Sequence, residues 1–126
     1  RGFLLFGLNY SLLLAVLAFV LWNAAWVTDR CGEWTAALDE AEAALAQGGS
    51  GSAQLDALIT LWQEPHGYLH IVISHTELDE AEALLAQARA AVRQGDMQAL
   101  YPIMAELRSQ FALVAETQQV SLKNIL

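Results

Sequence analysis

The first part of the chain is a long apolar run. Between Gly2 and Thr28 there is no Asp, Glu, Lys, Arg or His, and Phe3–Trp26 is almost entirely apolar. Wound as an α-helix, this run of 24 residues would rise roughly 36 Å, and the hydrocarbon core of a bilayer is about 30 Å thick. The pattern therefore predicts a transmembrane helix, to which we assign residues 1–28.

Two tryptophans mark the outer end of this run. Trp22 and Trp26 are one helical turn apart, and indole rings are enriched at the membrane–water interface because they are amphipathic. Packing of both rings on a neighbouring helix is the alternative. A cleaved signal peptide is a competing interpretation of the run, but its apolar region is usually about 7–15 residues long. We therefore expect a retained anchor with Trp22 and Trp26 at the membrane boundary.

Beyond Thr28 the pattern becomes that of amphipathic helices, in which apolar residues recur every three to four positions. This spacing continues from Trp34 to Leu45, so the first helix is expected to extend past the membrane. The glycine-rich segment Gly48–Ser52 should end it. Further helices are predicted at Ala53–Glu64, Tyr68–Gln94 and Met97 to about Glu116, followed by a short segment Ser121–Leu126.

The helix predicted at Tyr68–Gln94 carries a seven-residue repeat, in which large and small residues alternate along one seam and so suit close helix packing. The seam consists of Ile71, Leu78, Leu85 and Val92, with Ser74, Ala81 and Ala88 between them. Amphipathic helices joined by short connections form antiparallel bundles. The sequence therefore predicts an all-α fold, in which a long N-terminal transmembrane helix continues into an antiparallel bundle of about four helices over residues 29–126.

The helical part is strongly acidic. From Asp29 onward the chain holds all 14 of its acidic residues and only five basic ones, and a surface of this sign repels nucleic acid. The positive-inside rule counts the basic residues that flank a span. Arg1 precedes this span, whereas Arg30 follows it among acidic neighbours. We expect the N-terminus in the cytoplasm and the acidic bundle on the outer side of the cell membrane.

Three histidines, His66, His70 and His75, fall within ten residues. His66 and His70 have a spacing that directs two rings to one point on a continuous helix, and Glu77 or Asp79 could add an oxygen ligand. Pro65 and Gly67 argue against a helical His66, however, and His75 would point about 140° away from His70 at about 100° per residue. We predict no metal or cofactor and keep His70 and His75 as weak metal candidates.

The chain lacks the familiar catalytic motifs GxSxG and HExxH and a phosphate-binding glycine loop. The carboxylates between Glu77 and Glu82 fit a solvated helix face, because acid–base catalysis requires a carboxyl group held in a pocket. We therefore predict that the protein is not an enzyme. The single cysteine, Cys31, has no internal partner, and a plain small residue is favoured over a free thiol, an intermolecular bridge or an acylation site.

Several stretches together carry a resemblance to a known family. An N-terminal span, Trp62 at the end of a helix, and the runs at residues 73–79 and 121–126 make the chain similar to the bacterial domain-of-unknown-function family DUF4363. The resemblance implies a small, single-span helical protein of mainly spore-forming Gram-positive bacteria, with an extracytoplasmic domain and no assigned activity. The signature positions of unknown purpose are His75, Glu77, Asp79, Ser121, Leu122, Asn124, Ile125 and Leu126.

The leading functional hypothesis is a membrane-anchored interaction or accessory module, which sits in the lipid bilayer and docks on another envelope protein or on itself. Aromatic side chains are favoured anchors at interfaces, and the candidates are Trp34, Trp62, Tyr68 and Tyr101. One alternative is a subunit of a filament or oligomer that packs through its apolar N-terminal helix. A second alternative is a metal or ligand sensor based on the histidines.

Overall fold

The computed structural model describes residues 2–125, with the side chains of Phe3, His66 and Ile125 left out of the description. The described chain forms five helices and contains no strand. The helices are α1 (Gly2–Ala46), α2 (Ser52–Gln63), α3 (His66–Val72), α4 (His75–Gln94) and α5 (Met97–Ile125). The predicted all-α fold is therefore confirmed.

Helix α1 has two halves with different surroundings. Up to Trp22 its described side chains are exposed or half-buried, and Asn23 and Ala24 are the first buried residues of the chain. From there to Leu45 one face of α1 lies in the bundle core. No residue between Gly2 and Ala46 interrupts the helix, so the exposed half and the packed half form one continuous rod, as the sequence predicts.

Four helices close into a ring. Helix α1 packs against α2 and α5, α4 packs against the same two helices, and α3 is a short element that lies against α4. The short connections make successive long helices antiparallel. Gly51 and Gly95 adopt left-handed backbone conformations with φ of 73° and 67°, which cost glycine little. Gly51 directly precedes α2, and Gly95 directly follows α4. The first of these turns lies in the glycine-rich segment that is expected to end α1.

The core is centred on three aromatic rings from three helices. The ring centroid of Trp34 lies 4.7 Å from that of Trp62 and 5.4 Å from that of Phe111, and the latter two lie 6.1 Å apart. At the surface, Arg108 Nη2 of α5 lies 2.7 Å from Asp39 Oδ1 and 2.9 Å from Glu42 Oε1 of α1. These contacts fix the antiparallel register of α1 and α5.

Two boundaries differ from the sequence prediction. The helix predicted over Tyr68–Gln94 is broken, because Ile73 and Ser74 are extended (ψ of 146° at both) and the Ser74 hydroxyl accepts a hydrogen bond from the Glu77 amide at 3.3 Å, as an N-cap does. Ile71 is consequently exposed, and the predicted seam is buried only from Leu78 to Ala88, with Val92 half-buried at its end.

The last helix also differs, since α5 runs without interruption to Ile125 rather than ending near Glu116. No glycine or proline stands between Glu116 and Ile125, so nothing in the sequence opposes its continuation. From Phe111 to its end α5 rises about 21 Å, which brings that end level with the residues of α1 around Trp22.

Candidate membrane-boundary site

The N-terminal half of α1 presents apolar side chains on all sides. Between Leu4 and Phe19 the large apolar residues are 52–73% exposed, with the exception of Leu17, which is half-buried. The exposed ones include Leu4, Leu5, Phe6, Leu8, Leu12, Leu13, Leu14 and Val16. This helix is long and apolar enough to span a membrane by length and composition. From Gly2 to Trp22 it rises about 31 Å, close to the thickness of the hydrocarbon core.

An aromatic cluster lies where this exposed segment meets the bundle. Trp22, Trp26 and Tyr68, which we call the boundary cluster, pack edge to face. The Tyr68 ring centroid is 6.4 Å from that of Trp22 and 4.8 Å from that of Trp26. The Arg30 guanidinium stacks over Trp26 at 5.6 Å, a cation–π contact. Both predicted boundary tryptophans therefore lie at the end of the exposed segment, and both also contact α3 through Tyr68.

Polar groups near the junction are partly satisfied within α1 itself. Asn23 Nδ2 donates to the Phe19 carbonyl at 2.8 Å, and Thr28 Oγ1 donates to the Ala24 carbonyl at the same distance. Such bonds to the carbonyl four residues earlier let a polar side chain lie against an apolar surrounding. The Asn23 Oδ1 atom and the Tyr68 hydroxyl, in contrast, are buried without a hydrogen-bond partner.

The break between α3 and α4 brings two histidines together. The rings of His70 and His75 lie 5.3 Å apart, whereas the continuous helix assumed from the sequence would have pointed them apart. Among the residues whose side chains are described, no group of three or more His, Cys, Asp and Glu could hold a metal ion. Within the described side chains the pair therefore gains no third ligand; that of His66 lies outside the description.

Two of the four predicted interface anchors are core residues. Trp34 is fully buried and Trp62 is 2% exposed, so the prediction that they anchor a partner at the surface is wrong. Both indole Nε1 groups are buried without a hydrogen-bond partner. This fits rings whose role is to fill volume in the core. Tyr68 belongs to the boundary cluster, and Tyr101 is 53% exposed on α5. Tyr101 is thus the one member of this set with a largely free ring.

The signature residue Glu77 ties α4 to α5. Its Oε1 accepts a hydrogen bond from Thr117 Oγ1 at 3.2 Å, and its backbone carbonyl accepts one from Gln110 Nε2 at 3.3 Å. Sequence reasoning missed Thr117 and Gln110, because partners 40 and 33 positions away leave no local spacing signal. Of the other signature positions, His75, Asp79, Ser121 and Asn124 are exposed and Leu122 is half-buried. The Ile125 side chain and Leu126 lie outside the described residues.

Cys31 lies inside the bundle and is 4% exposed. Burial, and secondarily the negative charge of Glu77, raise the pKa of its thiol from 9.0 to about 12. The thiol therefore stays protonated at neutral pH and is a poor nucleophile, since the thiolate is the reactive form. This environment fits the favoured interpretation of Cys31 as a small packing residue.

A family model described as Domain of unknown function (DUF4363) matches residues 21–125. Neither the curated proteins nor the solved structures gave a match. The matched region begins at Leu21, where α1 enters the bundle, and it covers the boundary cluster and all the signature positions except Leu126.

Proposed function

The chain belongs to the family Domain of unknown function (DUF4363), as its resemblance implied, and from this premise we propose that it is a non-enzymatic, single-pass membrane protein. In this proposal residues 2–22 cross the cell membrane with the N-terminus in the cytoplasm. The helical bundle stands on the outer side as an interaction or accessory module for another envelope protein.

The supporting observation is the exposure of an apolar helix that continues directly into a packed one. Leaving the described side chains of residues 4–20 in water would expose a patch far larger than the few hundred Å² typical of soluble monomers. A bilayer removes this cost because its core is as apolar as the side chains. Anchorage through a continuous helix would also hold the bundle in a fixed position close to the lipid.

Anchorage is tested by placing charge at the middle of the proposed span. Replacing both Leu12 and Leu13 with Arg should move the protein out of the alkali-washed membrane fraction, because each Arg costs roughly 2.5–3.5 kcal/mol at the centre of a span. Leu113→Arg is the matched control, since Leu113 is 47% exposed on α5, and it should leave membrane retention unchanged. Equal retention of all three proteins would contradict the proposed span.

The orientation is tested separately. A C-terminal alkaline phosphatase fusion should be active and a green fluorescent protein fusion dark, since the first needs export and the second needs the cytoplasm to mature. The opposite pair of results would reverse the proposed topology. Sedimentation of the detergent-treated protein as a polymer would favour the filament alternative, because a single-span protein is released by detergent.

The interaction role is supported by the exposed ring of Tyr101 and by the acidic surface. Isolated from native membranes in mild detergent, the protein should carry a stoichiometric partner, and Tyr101→Ala should reduce its recovery because exposed aromatic rings are favoured contact anchors. Val120→Ala, at a site exposed to a similar extent (52% against 53% for Tyr101), serves as the control. A protein that is isolated alone would contradict the docking role and leave the span proposal intact.

A further inference from the structure

Helix α3 carries an apolar side chain that nothing in the described chain covers. Ile71 is 79% exposed, more than any other large hydrophobic side chain among the described residues, those of the apolar segment included. Single exposed hydrophobic residues are common on protein surfaces. The exposure of Ile71 indicates a contact surface only because of where Ile71 lies in the fold.

The position of α3 follows from its neighbours. It joins the end of α2 to the start of α4, and because these helices are antiparallel, both connections lie at one end of the bundle. Leu69 is fully buried and Ile73 is 5% exposed, so this face of α3 covers the core. Ile71 projects about 200° from Leu69 around the helix, and it therefore lies on the face of α3 that is turned away from the core.

The same end of the bundle is the one next to the apolar segment. Tyr68 of α3 packs on both Trp22 and Trp26, and Trp26 rises about 6 Å above Trp22 along α1. The headgroup layer extends about 5–8 Å beyond the hydrocarbon core on each side. With Trp22 at the edge of that core, Tyr68 and its helix lie at the depth of the headgroups.

The charge pattern changes at the same place. Residues 65–76 contain no Asp, Glu, Lys or Arg, although Glu64 and Glu77 flank them directly and the chain as a whole carries a net charge of −8. Carboxylates facing lipid phosphates would be repelled at short range. The segment next to the headgroup layer therefore presents no carboxylate to it. Residues 43–55, at the opposite end of the bundle, also lack charged side chains, so this absence permits the contact and the position of α3 selects it.

We propose that α3 is an interfacial foot: Ile71, with the boundary cluster beside it, inserts into the headgroup region of the phospholipid bilayer, so that the bundle rests on the membrane surface. The occupant of this face is lipid, because the face is continuous with the segment of α1 that enters the bilayer. This inference rests on the proposed span. It adds a second membrane contact, 49 residues along the chain from Trp22.

The test places a fluorescent label at single cysteines in the full chain reconstituted in phosphatidylcholine–phosphatidylglycerol vesicles. Cys31→Ala removes the natural cysteine, and circular dichroism checks that each variant folds. The labelled cysteine replaces Ile71, Leu12 or Leu113 in turn. Leu12 lies in the proposed span, and Leu113 is an exposed apolar residue on the side of α5. Brominated lipid quenches labels in the bilayer, and iodide quenches labels in water.

The label at Ile71 should be quenched several-fold more strongly by brominated lipid than the label at Leu113, and less strongly by iodide. If the label at Leu12 is quenched by lipid but the label at Ile71 is quenched mainly by iodide, the proposed membrane contact of α3 is contradicted and the proposed span is supported. A label at Leu12 that lipid does not quench would contradict the proposed span, and the membrane contact of α3 together with it. Shielding of Ile71 from both quenchers that depends on the protein-to-lipid ratio would indicate a second copy on this face and would also overturn the proposal.

Discussion

Among single residues, the three core rings contribute most to packing. Trp34→Ala removes a fully buried side chain that touches Trp62 and Phe111, and we predict a loss of about 3–5 kcal/mol in the free energy of unfolding. Tyr101→Ala, at a largely exposed ring, should change it by about 0.5 kcal/mol or less. Denaturant unfolding of the full chain in detergent measures both. Similar losses for the two variants would contradict the core assignment.

Cys31 gives a prediction about pH. Its thiol has a pKa of about 12 in the folded chain against 9.0 when unfolded, so above pH 9 the unfolded thiol ionises while the folded thiol does not. The stabilisation is complete below pH 9 and is lost as the pH rises toward 12, by about 1.4 kcal/mol per unit. The Cys31→Ala protein should lack this part of the decrease in the free energy of unfolding at alkaline pH. Identical slopes for the two proteins between pH 9 and 12 would contradict the buried, protonated thiol.

Residue roles were harder to predict than residue positions. The number of aromatic residues suggested surface anchors, but Trp34 and Trp62 are buried because their helices meet at the centre of the bundle. The sequence offers no sign of that meeting, since the contact joins residues in different helices. The interpretation of Cys31 as a plain small residue needed only the absence of a second cysteine, and the 4% exposure of its side chain fits it.

At the scale of helices, the N-cap of α4 is the most accessible test. Ser74→Ala removes the acceptor for the Glu77 amide and should lower the free energy of unfolding by about 1 kcal/mol. Ser109→Ala, on an exposed position inside α5, should be neutral or slightly stabilising because alanine favours helix interiors. Thermal unfolding of the two variants compares them. Equal stability would show that Ser74 does not cap α4.

Helix boundaries followed the sequence where glycine marked them. The glycine-rich segment ended α1, and the Gly95–Asp96 pair ended α4 and began α5: the Asp96 Oδ1 atom accepts from the Ala99 amide at 3.1 Å. The break at Ile73–Ser74 was missed because the seven-residue repeat continues across it without glycine or proline. Ser74 followed three residues later by Glu77 is a local N-cap signal for α4 that the repeat outweighed. Tertiary packing then buries Ile73 and exposes Ile71.

For the whole molecule, continuity of α1 is the property that joins structure to function. Its 45 residues form a rod roughly 67 Å long, of which one part is exposed and apolar and the other is a wall of the bundle. The sequence predicted this arrangement because hydropathy and helical period are both local. It could not predict how α3 and the end of α5 lie level with Trp22, since that depends on how the four long helices assemble.

The most direct measurement is a spin-label scan along α1 in lipid nanodiscs, with one cysteine at a time from Leu4 to Arg30 in the Cys31→Ala background. Collision rates with oxygen, which concentrates in lipid, and with a water-soluble nickel chelate give the depth of each position. We predict that the collision rate with oxygen exceeds that with the chelate along the span and is highest near Leu12. Between Trp22 and Arg30 the collision rate with the chelate should become the larger one, except where the bundle covers the label. Chelate access at Leu12 equal to that at Ser50 in the α1–α2 connection would contradict the membrane span on which this account depends.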